Sequence, residues 1–391
     1  MLGHSRRSLD PSLRSMAIPS RAFFTLRVKT RARPAGNSGC SSEGIRLALE
    51  PIFLSWGKYG KHGVSDDLII RDTVPPTPNR SRYTYRELVT ATRKFKYELG
   101  RGASGIVYRG VLKDNRAVAV KKLEDINQGE EEFRHELSVI SRINHMNLVR
   151  VCGFCSDAPH RILVSEYVEN GSLDKILFGT EGSEMLLDWK QRFLIALGVA
   201  RGLAYLHHEC LEWVIHCDVK PENILLDENL VPKIADFGLS KLLNRGGSNI
   251  NVSRIQGTRG YLAPEWVSSL PITAKVDVYS FGVVLLELMK GARVSDMEKS
   301  ENEEVQLVLG RMVRMLKEKL QLDDTEESWM KDFIDPKLNG QCNKLQVKTM
   351  MKLAVSCLEE DRGRRPTMED AAHTLVSVDE VSSVSVMGGV A

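Results

Sequence analysis

At 391 residues the chain is between two and three times the length of a typical domain of about 150 residues, so a sizeable core can be buried. Hydrophobic residues at 42% and charged residues at 27% exclude a collagen-like, coiled-coil or wholly disordered chain. The formal charge is only +3, and residues 1–35 alone carry +7 through eight basic side chains and the single acid Asp10, which leaves −4 for the rest. A body of that sign lacks the electrostatic footprint that phosphate-backbone contacts need, so no nucleic acid partner is expected.

The first 80 residues read as a leader, basic and then rich in Gly, Ser and Pro, closing on the breaker run Val74-Pro-Pro-Thr-Pro78. It is expected to be disordered; its Arg-rich, acid-poor start also fits an organelle transit peptide. Tyr85 to Phe95 reads as a short amphipathic helix. Phe95 to Ala119 then alternates as an antiparallel sheet with Asp114-Asn115 at a hairpin tip. Glu130 to Ile143 shifts to helical period, with Phe133, Leu137 and Ile140 on one stripe, before strands return at Leu148–Phe154 and Arg161–Glu166.

Beyond residue 171 helices dominate. Asp188 caps a helix whose Phe193, Leu197, Ala200, Leu203 and Leu206 recur every three or four residues, and further helices are expected at Lys275–Met289, Glu303–Lys319 and Lys344–Leu358. The expected fold is α+β: a small β-rich lobe over 83–166 with one key helix, a hinge at 166–171, an α-rich lobe over 172–370 and a tail from 371 to 391. A cleft at such a junction suits a small ligand. No run reaches the roughly 18 apolar residues that cross a bilayer, so no membrane span is expected. The seven cysteines are too few for a disulfide scaffold, and Cys152-Gly-Phe-Cys155 reads as two packing residues of a strand, since a zinc site would need a second ligand pair. His207-His208 reads as an ordinary helix end. The sequons at Asn170 and Asn251 carry meaning only on a secreted chain.

Several short motifs carry chemistry. Gly100-Arg101-Gly102-Ala-Ser-Gly105-Ile-Val107 lacks side chains where backbone N–H groups would approach phosphate oxygens, although glycines in a plain hairpin read the same way. A strand follows these glycines, where a dinucleotide-binding unit would open a helix. In Val118-Ala119-Val120-Lys121 the alternation throws Lys121 to the face away from Val120, and Glu136 on the next helix can pair with it. His216-Cys217-Asp218-Val-Lys220-Pro-Glu-Asn223 gathers a carboxylate, an ammonium and an amide after a buried helix. There Asp218 can accept a hydroxyl proton, Lys220 can neutralise charge on a phosphoryl group, and Asn223 can offer oxygen to a metal. Asp236-Phe237-Gly238 follows the strand Lys233–Ala235 and brings a second carboxylate to hard Mg²⁺.

In this order, and with Ala263-Pro264-Glu265 behind them, the motifs resemble those of the eukaryotic protein kinases over about residues 95–370. The resemblance implies a two-lobed fold and ATP held with Mg²⁺ against a hinge at Glu166, Tyr167 and Val168. Gly100, Arg101, Gly102, Gly105, Val107, Ala119 and Lys121 would lie around the nucleotide, and Asn223 and Asp236 around the metal. It further implies catalytic roles for Asp218, Lys220, Asn223, Lys121 and Glu136, with protein substrates as partners. Lys220 with Gly257-Thr258 resembles the serine/threonine class. Glu265 with Arg365 resembles a brace of the substrate platform, and Asp277 a residue that steadies the catalytic loop.

Asn170-Gly-Ser-Leu-Asp, Ile224-Leu-Leu-Asp227 and Gly260-Tyr-Leu-Ala-Pro-Glu-Trp266 resemble plant receptor-like kinases of the S-domain, lectin-bearing type. Those relatives are membrane-anchored with the kinase on the cytoplasmic side, and that side is expected here. Two departures stand out. Cys217 replaces the Arg that often precedes the catalytic Asp, so activity is expected to depend little on phosphates at Ser248 or Ser253. Ser165 replaces a common Tyr before the hinge, so a deeper pocket is expected behind the adenine. A pseudokinase scaffold or nucleotide sensor is the alternative, and a small-molecule phosphotransferase a further rival.

Overall fold

The computed structural model describes residues 81–102, 105–123, 133, 136–140, 143–179, 185–210, 213–243, 257–268, 270–296, 305–321 and 328–387. The expectations for the leader, for Ser248 and Ser253, for the Asn251 sequon and for the acidic stretch 323–327 lie outside them.

The small lobe is a six-stranded sheet ordered β1-β5-β6-β4-β3-β2. Its strands are β1 (Ser81–Arg82), β2 (Glu98–Gly102), β3 (Gly105–Val111), β4 (Ala117–Lys122), β5 (Val151–Cys155) and β6 (Ile162–Glu166). All pairings are antiparallel except β1 with β5. On β4 the expected alternation holds. Val118 and Val120 are buried in an apolar cluster with Leu88, Leu112, Cys152, Cys155, Ile162 and Val164, and the opposite face carries Ala119 and Lys121. Register sets Lys121 opposite Val107 and Leu163, and Ala119 opposite Ser165. Both CxxC cysteines are free, buried thiols. The helix with Phe133 and residues 136–140, here α2, buries Phe133, Leu137 and Ile140.

In the large lobe α4 (Trp189–Ala204) starts at Asp188, whose carboxylate accepts from the Gln191 N–H while Gln191 answers at the Asp188 N–H. This reciprocal cap is why the helix begins there. It packs beside α5 (Lys275–Lys290), which is buried from Val276 to Met289 and contacts α8 (Lys344–Cys357). Between α4 and α5 the short strands β7 (Trp213–Ile215), β8 (Ile224–Leu226), β9 (Pro232–Ile234) and β10 (Lys241–Leu243) form two hairpin-like pairs. The remaining helices are α1 (Tyr85–Ala91), α3 (Leu173–Leu177), α6 (Val305–Lys319), α7 (Ser328–Phe333) and α9 (Met368–Met387).

Several boundaries differ from expectation, beginning with the small lobe itself, expected from 83, whose sheet already takes in Ser81 and Arg82. Helix α1 stops at Ala91, because Arg93, Lys94 and Phe95 all take left-handed backbone angles (φ 51°, 62° and 57°) and turn the chain into β2. The strand expected from Leu148 begins at Val151, with Leu148 forming a single bridge to Ile234. The expected tail from 371 starts inside α9, whose Ala371, Leu375 and Val378 are buried against the main core. Among the described residues no helix is long and apolar enough to cross a membrane.

Glu287, the charge that interrupts the apolar run of α5, is 2% exposed. It accepts hydrogen bonds from the Tyr261 hydroxyl at 2.9 and 3.0 Å and from the Val294 N–H at 3.0 Å. Burial pushes its carboxyl from 4.5 up to about 7, because these bonds only partly offset the lost hydration. A pKa raised on folding means that the native chain holds a proton which the unfolded chain releases. The stabilisation is therefore complete below 4.5 and is lost as pH climbs through about 7. In Glu287→Gln that loss should vanish. Its melting temperature relative to wild type should rise between about pH 5 and about pH 8, by the equivalent of roughly 3 kcal/mol. Thermal melts at both pH values check this, and parallel profiles would contradict it.

Candidate active site

Lys121 leaves the face of β4 opposite the apolar cluster, and α2 brings Glu136 to it. The ammonium lies 3.0 Å from Glu136 Oε2 and 2.8 Å from Asp236 Oδ1. Burial pulls the lysine pKa down, but the two carboxylates more than reverse this and hold it above its ordinary value, so the charge is fixed. Asp236 answers in kind: burial raises its pKa, Lys121 outweighs that, and the carboxylate is held below its usual range. Its side chain is still 40% exposed, open to a ligand on its far side. Asp236 takes a left-handed φ of 64°, a conformation that costs a β-carbon residue about 1–3 kcal/mol and persists only where the surroundings impose it.

The second cluster stands on the loop between β7 and β8. Asp218 Oδ1 accepts from the Thr258 hydroxyl at 2.6 Å; Oδ2 lies 2.8 Å from Lys220 Nζ and accepts from Asn223 Nδ2 at 3.0 Å. Lys220 also donates to the Thr258 hydroxyl at 2.6 Å. A hydroxyl is thus already seated where a carboxylate can take its proton and an ammonium can steady the oxygen. The Asn223 carbonyl accepts from the Ala235 N–H at 2.8 Å, which sets Asn223 beside Asp236.

The loop is hung from α5. Asp277, fully buried, accepts from the His216 N–H at 2.7 Å, the Cys217 N–H at 2.8 Å and the His207 ring at 2.8 Å. These bonds hold Cys217 in its left-handed conformation, φ 69°. His216 in turn accepts the Asp218 N–H at Nδ1 and bonds the Ala235 carbonyl through Nε2, tying the two carboxylate-bearing segments together.

Around Lys121 the glycine hairpin is formed by β2 and β3. Gly105 has φ 135°, and a Cβ there would lie 2.2 Å from the Lys122 carbonyl, so only glycine fits. At Gly100 and Gly102 an added Cβ would meet nothing within 4 Å, so the outer half of the hairpin is open. Val107 and Ala119 share the sheet with Lys121, and Val168 is buried just past β6. The Glu166 carboxylate accepts from the Arg150 N–H at 2.9 Å and pairs with Lys233 at 3.2 Å, so at this position the main chain is what a ligand would meet. Arg101 is turned to Glu98 at 3.1 Å and does not join the lysine cluster.

Among the described residues no group of three or more His, Cys, Asp or Glu could cage a metal. Asn223 and Asp236, whose segments are joined by the Ala235–Asn223 main-chain bond, offer an amide oxygen and a carboxylate. That donor set fits Mg²⁺, which keeps several waters and completes its octahedron with substrate phosphates. Asn223 spends its amide N–H groups on Asp218, which leaves the amide oxygen for a cation.

Sequence reasoning missed the His207 bond to Asp277; His207 sits four residues after Leu203 on the buried stripe, a signal that could have marked it. It also missed the Glu166–Lys233 pair, which joins residues 67 apart with no local sign. Glu265 and Arg365 do meet, in a bidentate pair at 2.7 and 2.8 Å.

The protein kinase domain family matches residues 93–376. The chain belongs to the protein kinase family. A Zea mays protein named as a receptor protein kinase, ZmPK1, is 67% identical over 304 residues, covering 78% of this chain and 37% of that protein. Two G-type lectin S-receptor-like serine/threonine-protein kinases of Arabidopsis thaliana are 45% and 46% identical over 304 residues each, covering 77% of this chain and 35% of theirs. This kinase chain therefore spans little more than a third of the length of these curated relatives. The family and the α+β two-lobed fold implied by the sequence motifs are both shown.

The Arg365 and Glu265 side chains are 0% and 2% exposed, so removing one partner strands a buried charge. Arg365→Met should cost about 3–5 kcal/mol, and Arg365→Met with Glu265→Met should recover part of it. Denaturant titrations of the single and double variants check this; equal losses in both would contradict it.

Proposed function

We propose that this chain is an ATP- and Mg²⁺-dependent serine/threonine protein kinase that transfers the γ-phosphate of ATP to Ser and Thr hydroxyls of protein substrates. The observation that carries the reading is the Thr258 hydroxyl bonded at 2.6 Å to both Asp218 and Lys220, beside a buried lysine held by two carboxylates. Asp218 orients the acceptor hydroxyl and takes its proton, Lys220 balances negative charge at the acceptor, and Lys121 anchors a phosphate chain under the open hairpin. Asn223 and Asp236 would hold Mg²⁺ between them. Bound Mg²⁺–ATP supplies the phosphoryl group and the cation that neutralises its oxygens. The main chain at Glu166 and Val168 offers the base its hydrogen bonds, with Gly100, Gly102, Gly105, Val107 and Ala119 lining the nucleotide. Arg101, turned outward, touches it only if it leaves Glu98.

The names of the relatives support the serine/threonine class and a place in receptor-like signalling, and we read the kinase as lying on the cytoplasmic side. We read residues 95–370 as the stretch that carries the kinase motifs and residues 1–80 as a separate leader. Cys217, buried and without charge at neutral pH because burial holds its thiol well above the usual value, cannot pair with an activation-segment phosphate. Activity then depends little on such phosphorylation.

Radiolabel transfer to a peptide library tests the reading. Asp218→Asn should lower transfer by about 10²–10⁴-fold, with the wild-type label confined to Ser and Thr. Ser248→Ala with Ser253→Ala should lower it less than about tenfold, the equivalent of 1.4 kcal/mol. Label on Tyr, or undiminished transfer in Asp218→Asn, contradicts the proposal.

A further inference from the structure

The family match starts at residue 93, yet residues 81–92 are built into the small lobe. Strand β1 adds to the sheet beside β5, with Ser81 opposite Gly153 and Arg82 opposite Phe154. The approach is so close that a Cβ on Gly153 would lie 2.0 Å from the Ser81 carbonyl oxygen and 2.6 Å from the Tyr83 ring. Asp157, just beyond β5, accepts the Tyr85 N–H at 2.8 Å and faces Arg82 at 3.8 Å. Helix α1 is fixed at its start by a reciprocal cap between Thr84 and Glu87.

What this segment covers is the reverse face of the lysine strand. Leu88, 0% exposed, packs with Val118 and Val120, the two residues that flank Ala119 and alternate with Lys121. Phe95 continues the cover: it stands edge-on to Tyr108 at 5.2 Å and takes the ammonium of Lys122 over its ring at 5.4 Å. Tyr85 stacks between Phe95 and His160, at 6.0 and 3.6 Å. Three successive left-handed residues, Arg93 to Phe95, are held against their own preference, a sign that the surroundings over-determine this turn.

We infer that residues 81–95 are a positioning element for Lys121. By clamping β4 from behind, they fix how far the lysine reaches toward Glu136 and Asp236, so the working kinase unit begins near residue 81. Strand β4 has two faces and one backbone. A shift of Val118 and Val120 into space vacated by Leu88 moves Lys121 with them, because alternating side chains share one pleat. The inference rests on the reading of Lys121 as a phosphate anchor, so its test includes a measurement made without nucleotide.

Two sets of variants of the full chain are compared. Gly153→Ala forces Ser81 and Tyr83 off the sheet without altering any catalytic group. Leu88→Ala empties the contact on Val118 and Val120, and Leu88→Met refills it. The first readout is the acylation rate of Lys121 by a small amine-reactive reagent, mapped by mass spectrometry with no ATP present. It should rise about threefold or more in Gly153→Ala and Leu88→Ala and return toward wild type in Leu88→Met. The second is the KM for ATP, which should rise about fivefold while the peptide KM holds. Lowered thermal stability with Lys121 labelling and ATP KM both unchanged would overturn the inference, leaving the segment as packing alone. Should Gly153→Ala fail to fold, the Leu88 pair decides. A wild-type chain that transfers no phosphate would count against the proposed function, whereas the labelling comparison would still decide the role of residues 81–95.

Discussion

An ammonium sandwiched between two carboxylates, at 3.0 and 2.8 Å, joins three separate pieces of the chain: a strand, a helix and the turn after β9. Lys121 or Glu136 alone would be costly there, since a charge largely removed from water without its counterion loses several kcal/mol of hydration. Together they leave one net negative charge, set where a cation and a phosphate chain can share it. The sheet register, the apolar stripe of α2 and the β8–β9 hairpin all serve to bring these three groups to one point.

The loop that carries Asp218 is organised by a different device. Cys217 and Asp236 both hold left-handed backbone angles, and neither is glycine. The conformations survive because the buried Asp277 carboxylate takes up two loop amides and the His207 ring, and because His216 bridges the loop to Ala235. Strain at the reacting groups is thus held by hydrogen bonds made inside the large lobe, several of them on α5, the most deeply buried helix. The Tyr261–Glu287 and Glu265–Arg365 contacts extend the same support to the segment after Thr258.

Local pattern made much of this legible. Alternation in Val118–Lys121 placed the lysine on the correct face, the Phe133, Leu137 and Ile140 stripe placed Glu136 beside it, and Asp188 marked a helix start that its reciprocal cap with Gln191 enforces. What stayed hidden depends on partners remote in sequence. A two-residue strand such as Ser81–Arg82 is too short to show alternation, and the end of α1 is set by a left-handed turn with no glycine to announce it. The last helix escaped because its Ser- and Val-rich second half has weak helical propensity, while the side chains that tie it to the core, Ala371, Leu375 and Val378, are spread thinly along its earlier turns. Arg101 fits the glycine motif by position, but its charge is spent on a neighbour, and motif position carries no information on that.

The central claim is that Asp236 and Lys121 meet one ligand made of a cation and a phosphate chain. Calorimetric titration of ATP with and without Mg²⁺, on wild type and Asp236→Asn, tests it most directly. The account predicts that Mg²⁺ tightens ATP binding about tenfold or more in wild type and that the gain largely disappears in Asp236→Asn. A Mg²⁺ effect of equal size in the variant, or none in wild type, would contradict it.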